Sequence, residues 1–317
     1  MTRAFVFPGQ GSQAVGMGKE LAEAFPLAAQ VFEEVDDALG QSLTKLMYEG
    51  PIEDLTLTEN AQPALMAVSV AVARVLEQEG NLRLADVARF VAGHSLGEYS
   101  ALTAAGALEL ADAARLLKAR GQAMQQAVPV GIGAMAALLG MNIEPVEELV
   151  KEATAAADEG EVVVAANDNA DGQVVLSGHK GAVEKAIELA REKGVRKAMM
   201  LPVSAPFHCP LMQPAADVMA EKLGEVTIAP PSVALVANVT AGEVSDPETI
   251  RKLLVEQVTG RVRWRESVLF MGEQGISDLV ELGTGKVLTQ MVRRINKDMT
   301  GSAVQSPTDI ETFLKSL

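Results

Sequence analysis

Short apolar runs alternate with helical periodicities along this chain. Residues 3–7 (Arg-Ala-Phe-Val-Phe) form an apolar run stopped by Pro8, the pattern of a buried strand. Residues 27–39 (LAAQVFEEVDDAL) space their apolar side chains three and four apart, with acids on the opposite face, which predicts a helix. Residues 60–80 are alanine, valine and leucine on most sides, so that helix is predicted to be buried. A second apolar run, Val87 to Ala92, ends in the glycine-rich stretch Gly93-His94-Ser95-Leu96-Gly97. Small and apolar residues follow it, giving strand, tight turn and helix in succession. Residues 110–126 are again amphipathic, with Arg115, Lys118 and Arg120 on neighbouring turns, and 128–133 (VPVGIG) punctuate the chain.

Beyond that break the rhythm changes. Strands are predicted over 134–140, 162–167, 173–177 and 197–201, with helices over 144–157 and 180–193 and a turn from Asp168 to Gly172. The order β-α-β-β-α-β is that of a ferredoxin-like unit. Further on lie Ser204-Ala205-Pro206-Phe207-His208, a helix near 210–224, a strand near 233–237, and helices near 247–257 and 284–297. A strand near 277–282 ends in Gly283-Thr284-Gly285. The expected fold class is α/β: a large domain from residues 1–127 and 199–317, interrupted by a ferredoxin-like subdomain at 128–198.

The 317 residues, 48% of them hydrophobic, suffice for a substantial core. Asp and Glu outnumber Lys and Arg by 42 to 27, a net charge of -15, and aromatics are 3%. Such a chain does not hold nucleic acid or an anionic membrane through its overall field, and it lacks aromatic platforms for stacked bases. An acidic partner would need a local basic patch. One cysteine, Cys209, permits no internal disulfide, which fits a reducing compartment. The first apolar run is too short for a signal peptide, and no segment is long enough to span a bilayer. A cytoplasmic, monomeric protein without a metal or other cofactor is the expectation; three scattered histidines show no metal-ligand spacing.

Gly-x-Ser-x-Gly between a strand and a helix is the pattern of a nucleophile elbow. The serine adopts a strained backbone that lifts its hydroxyl above the sheet, and the flanking glycines let strand and helix nearly touch. The N–H of Leu96, at the start of the helix, is aimed where an oxyanion would form. Without the strand and helix, the same five residues describe an ordinary turn with Ser95 as a helix cap. The loop Gly9-Gln10-Gly11-Ser12-Gln13-Ala14 matches the dinucleotide pattern G-x-G-x-x-A. It lacks the second strand with a terminal acid that a Rossmann unit requires, so it reads as a loop whose backbone N–H groups approach a ligand.

A serine nucleophile needs a base, and there are three histidines. His94 adjoins Ser95, and adjacent side chains on an elbow point apart. His179, in a Gly178–Gly181 turn, is expected to face solvent. His208, on a loop beyond the subdomain, is the candidate base. Cys209 fails as its nucleophile for the reason that excludes His94, and is expected to be a small buried residue. No acid stands out as a third member, and a backbone carbonyl could orient the base instead.

Several separated segments together resemble the malonyl-CoA:acyl carrier protein transacylase family. They are Phe7-Pro8-Gly9-Gln10-Gly11-Ser12-Gln13, Gly93 to Tyr99, Arg120-Gly121, Asn167, Gly172-Gln173, Ser177-Gly178, Phe207-His208, and Gln257 before Val262-Arg263-Trp264. The resemblance runs nearly the whole chain in the family's order. It implies an α/β-hydrolase-like large domain with a parallel sheet, and malonyl transfer from malonyl-CoA to acyl carrier protein. It implies Ser95 as nucleophile, His208 as base, Gln10 and Leu96 as oxyanion donors and Arg120 as the grip on the malonyl carboxylate. Gln257 would orient His208 through its backbone carbonyl. The role of Asn167 stays open. Two basic surfaces could dock an acidic carrier: Lys180, Lys185, Arg191, Lys193, Arg196 and Lys197, or Arg261, Arg263 and Arg265. The same serine and histidine delivering the acyl group to water would make a hydrolase, and without catalysis the chain would be an acyl-binding or carrier-docking protein.

Overall fold

Ten strands gather into two sheets in a computed structural model that describes residues 2–195, 197–203 and 205–317. Arg196 and Ser204, named above, lie outside the described residues. In chain order the strands are β1 (Arg3–Phe7), β2 (Phe90–Gly93), β3 (Gly133–Leu139), β4 (Val163–Ala170) and β5 (Gln173–His179). They continue with β6 (Lys197–Met200), β7 (Ala234–Val236), β8 (Glu243–Val244), β9 (Asp278–Leu282) and β10 (Thr300–Val304).

The larger sheet has the order β10-β9-β1-β2-β7-β8, parallel throughout except for the short β8 at its edge. Parallel register decides which loops meet. Val6 pairs with Ala92 and Ala92 with Val236, so the chain leaves β1, β2 and β7 on one edge. The Gln10 loop, Ser95 and Asn238 therefore converge, as ligand loops do at the carboxyl ends of parallel strands. Helices cover both faces, and the central one, Thr58–Gly80, is buried along most of its length.

The smaller sheet is antiparallel, ordered β4-β5-β3-β6, which is the ferredoxin-like arrangement. Its two helices, Ile143–Ala156 and Lys180–Glu192, bury Val146, Leu149, Val183 and Ile187 against one face. The other face presents Met135, Ala166 and Val175 to Leu201, Val203 and Phe207. That second apolar face forms part of the wall described below.

Several boundaries differ from the sequence pattern. Residues 84–87 form a short helix, with the Arg83 side chain on Asp86 at its start, so β2 begins only at Phe90. The turn expected from Asp168 is still strand: β4 runs to Ala170 through two bulges, and its Asn167, Asp168 and Asn169 are all buried. Asp168 and Asn169 read as a turn because the pattern could not show a second neighbour, Val262, bonding across to Ala166 and Asp168. His179 is not a solvent-facing turn residue. It ends β5, half-buried, and its Nδ1 accepts from the Val162 N–H at 3.1 Å. The helix Trp264–Glu273, strand β10 and the last helix, Pro307–Leu314, were not anticipated.

Candidate active site

A cavity of about 530 Å³ opens where the two sheets meet. Ser95, His208 and Arg120 lie together in its wall with Gln10, Gln62 and Leu96, while Met124, Met135, Val175, Leu201 and Phe207 supply apolar lining.

The elbow is built as its glycines require. A Cβ at Gly93 would lie 1.9 Å from the Gly97 carbonyl carbon, and one at Gly97 would lie 2.3 Å from the Phe7 oxygen. Helix and strand cross too closely there for any side chain. Ser95 sits between them at φ 54°, a left-handed conformation that costs a non-glycine residue about 1–3 kcal/mol. Two buried side chains hold it. The Ser95 N–H donates to Asn238 Oδ1 at 2.8 Å, and the Ser95 carbonyl accepts from Gln257 Nε2 at 2.9 Å. Asn238 also donates to the Gly93 carbonyl at 2.7 Å, tying the turn to the end of β7.

Ser95 Oγ lies 2.8 Å from His208 Nε2. On its far side, His208 Nδ1 is 2.8 Å from the Gln257 backbone carbonyl. A carbonyl oxygen only accepts, so Nδ1 carries the proton and Nε2 is free to take one from the serine hydroxyl. Burial, reinforced by the Arg120 charge, holds the His208 pKa down to about 3. The ring is thus a neutral acceptor in the resting site. His208 itself has φ 57°, a second strained residue in direct contact with the first.

Arg120 reaches the same oxygen. Its Nη2 donates to Ser95 Oγ at 3.1 Å and to Gln257 Oε1 at 2.7 Å, while Nη1 donates to Gln62 Oε1 at 2.8 Å. The guanidinium is only 1% exposed, yet no carboxylate lies within ion-pair distance among the described residues. Burial lowers its pKa from the usual arginine value, but arginine stays charged. Glu98 acts on it only at longer range, through charge, and a buried cation with no anion in direct contact is costly beside a cavity unless one joins it. Arg115 and Lys118, which the helical pattern grouped with it, pair instead with Asp112 and Glu59 outside the site.

Gln10 and Leu96 both line the cavity, and neither backbone N–H has an acceptor among the described residues. The Gln10 side chain is anchored to Thr58 Oγ1 at 3.2 Å. Leu96 is the cap of the helix Gly97–Ala104, one residue before its first turn. His94 turns away from the serine as expected, to Asn169 Oδ1 at 2.8 Å. Cys209 is buried with its thiol on the Pro206 carbonyl. Asn167 lines the cavity without touching the serine–histidine pair.

Four residues at the site had not been singled out from the sequence: Gln62, Glu98, Asn169 and Asn238. A signal existed for two of them. Asn238 follows an apolar strand that leaves the elbow's edge of the sheet, and Glu98 is an acid on a helix otherwise made of small and apolar residues.

An α/β domain that brings a neutral histidine onto a strained serine, beside two free backbone N–H groups, defines a site built for acyl transfer. The acyl transferase domain family matches residues 4–309. The malonyl CoA-acyl carrier protein transacylases of Escherichia coli K12 and Bacillus subtilis 168 are 45% and 44% identical to the chain, covering 98% and 99% of it and 98% and 96% of their own lengths. The structure of acyl-carrier-protein-S-malonyltransferase from Bartonella henselae superposes with a TM-score of 0.96 at 55% identity, over 100% of this chain and 99% of that one. A solved complex of a type II PKS acyl-carrier protein with its malonyl-transacylase superposes at 0.95 and 42% identity, covering 100% of both. The chain belongs to the malonyl CoA-acyl carrier protein transacylase family of acyl transferases. No helix among the described residues is long and apolar enough to cross a membrane.

Proposed function

We propose that this chain moves a malonyl group from malonyl-CoA to the phosphopantetheine thiol of acyl carrier protein, for fatty acid synthesis, in two half-reactions through a malonyl ester on Ser95. The observation that carries the substrate choice is Arg120: a buried guanidinium with neutral partners, on the nucleophile itself. A carboxylate at the far end of the acyl group supplies an anion in direct contact, in the forked geometry that arginine favours.

In the first half-reaction His208 Nε2 takes the Ser95 proton as Oγ attacks the thioester carbonyl. The oxyanion receives the N–H groups of Gln10 and Leu96, each contributing about 3 kcal/mol in the transition state. His208 then protonates the departing CoA sulfur, and the carbonyl re-forms as the ester. The positive charge that develops on His208 is stabilised through its Nδ1–H on the Gln257 carbonyl, which explains why no third acid is needed. In the second half-reaction the carrier's thiol gives its proton to His208, attacks the ester carbonyl, and Ser95 leaves as the hydroxyl.

Acyl carrier protein is the proposed partner. Lys180, Lys185 and Lys193 on the smaller subdomain pair with Glu184, Glu188 and Glu152. Arg261, Arg263 and Arg265 pair with Glu147, Glu266 and Asp168. Exposed pairs of the first kind are worth roughly 0–1 kcal/mol, so an acidic carrier can exchange them at little cost.

Transfer differs from hydrolysis in the fate of the ester. Labelled malonyl-enzyme is expected to persist in buffer and to discharge when a pantetheine thiol is added. Release of free malonate at the same rate without thiol would make the protein a hydrolase.

A further inference from the structure

Beneath the elbow lies a carboxyl group that the two half-reactions above leave unused. Glu98 is 1% exposed, on the first turn of the helix that follows Ser95. Both of its oxygens are occupied. Oε1 accepts from the Asn238 N–H at 3.0 Å, and Oε2 accepts from the Gln257 side-chain amide. These are the two residues that grip Ser95, one at its N–H and the other at its carbonyl.

We propose that Glu98 is a positioning residue for acylation of Ser95, acting through Gln257 and Asn238. This rests on the acyl-transfer reading of the site. The reason lies in which atoms can donate. Gln257 Nε2 faces two acceptors, the Ser95 carbonyl and Glu98, whereas its Oε1 faces the donors of Arg120. An ionised carboxylate accepts at both oxygens and never donates, so it forces the amide NH2 inward and the amide oxygen toward Arg120. One carboxylate thus sets the Gln257 amide that holds Ser95 and Arg120. The Gln257 backbone, on the same residue, orients His208. A protonated or amide group at position 98 presents a donor to one of two donors, and that clamp opens.

The charge state is poised. Burial raises the Glu98 carboxyl to about 7, against the pull of its hydrogen bonds and of Arg120. Glu98 therefore loses its proton as pH rises through that value. The other ionisable groups around it do not titrate there. Tyr99, beside it on the same helix, is pushed up to about 12; Arg120 on the helix Leu110–Gln126 stays charged; His208, beyond Gln257, is held near 3. Burial likewise lowers His94, at the end of β2.

The test compares the wild-type enzyme and Glu98→Gln in the burst of acylation by malonyl-CoA, followed by intact mass from about pH 5.5 to 8.5 around that ionisation. The wild-type acylation rate should rise with pH through about 7. The variant should be slower by roughly 100-fold, the effect of a misplaced nucleophile, with KM little changed and the limb near neutrality gone. A folded Glu98→Gln enzyme with wild-type acylation, or one that loses only KM, would overturn the proposal. Should the variant not fold, the wild-type profile still decides: a flat profile across that range overturns it. Failure of the wild-type enzyme to take up malonyl at all would instead remove the acyl-transfer reading.

Discussion

Arg120→Ala is expected to lower kcat/KM for malonyl-CoA by about 30- to 5,000-fold, the equivalent of roughly 2–5 kcal/mol, while acetyl-CoA is spared. The reasoning is electrostatic. The folded protein holds a guanidinium away from water with three neutral acceptors and no counter-ion within ion-pair distance among the described residues. Malonyl brings the counter-ion with it, whereas acetyl brings a methyl group. Part of the free energy that most proteins spend on an internal ion pair is here withheld until the substrate binds. Lysine is not expected to restore activity, because the forked contact to Ser95, Gln257 and Gln62 needs two nitrogens in one plane. Steady-state kinetics with the two thioesters check this, and equal losses on both would refute a carboxylate clamp.

His208→Ala is expected to slow acylation by about 100- to 10,000-fold, the usual range for loss of a positioned general base. Substrate binding should change little, since the contacts assigned to the carboxylate and the oxyanion come from other residues. A second consequence concerns acid stability. His208 is held near pKa 3 in the folded protein, well below its ordinary value of 6.5. Below 6.5 the unfolded chain binds a proton that the folded chain refuses, so this residue makes stability fall as pH drops from about 6.5 toward 3. Removing the imidazole should flatten that part of the curve. Denaturant unfolding of both proteins between pH 4 and 7 measures it, and an unchanged slope would mean that His208 is not buried in its neutral form.

Much of this site was legible because its chemistry is written in short local patterns. The elbow glycines are forced by backbone contact, so they surface in the sequence as Gly-x-Ser-x-Gly. His208 emerged because only three histidines exist and two are placed badly. With no obvious third acid, a backbone carbonyl stayed open as the orienting group, the resemblance named Gln257, and its backbone oxygen lies on His208. What stayed hidden acts across the sheet. Asn238 lies far along the chain from Ser95 and meets it only through the parallel register of β2 and β7. Glu98 stood out only as an acid on a helix of small and apolar residues, and its partners Asn238 and Gln257 come from far along the chain. The polar end of β4 misread as a turn for the same reason, since Val262 pairs with it from about a hundred residues away.

Intact-mass analysis after brief exposure to malonyl-CoA, without carrier or thiol, tests the central claim most directly. The wild-type protein should gain one malonyl group, located at Ser95 by peptide mapping, and the Ser95→Ala variant should gain none. A wild-type protein that turns over malonyl-CoA with acyl carrier protein but never carries the acyl group, or a Ser95→Ala protein that still does, would contradict it.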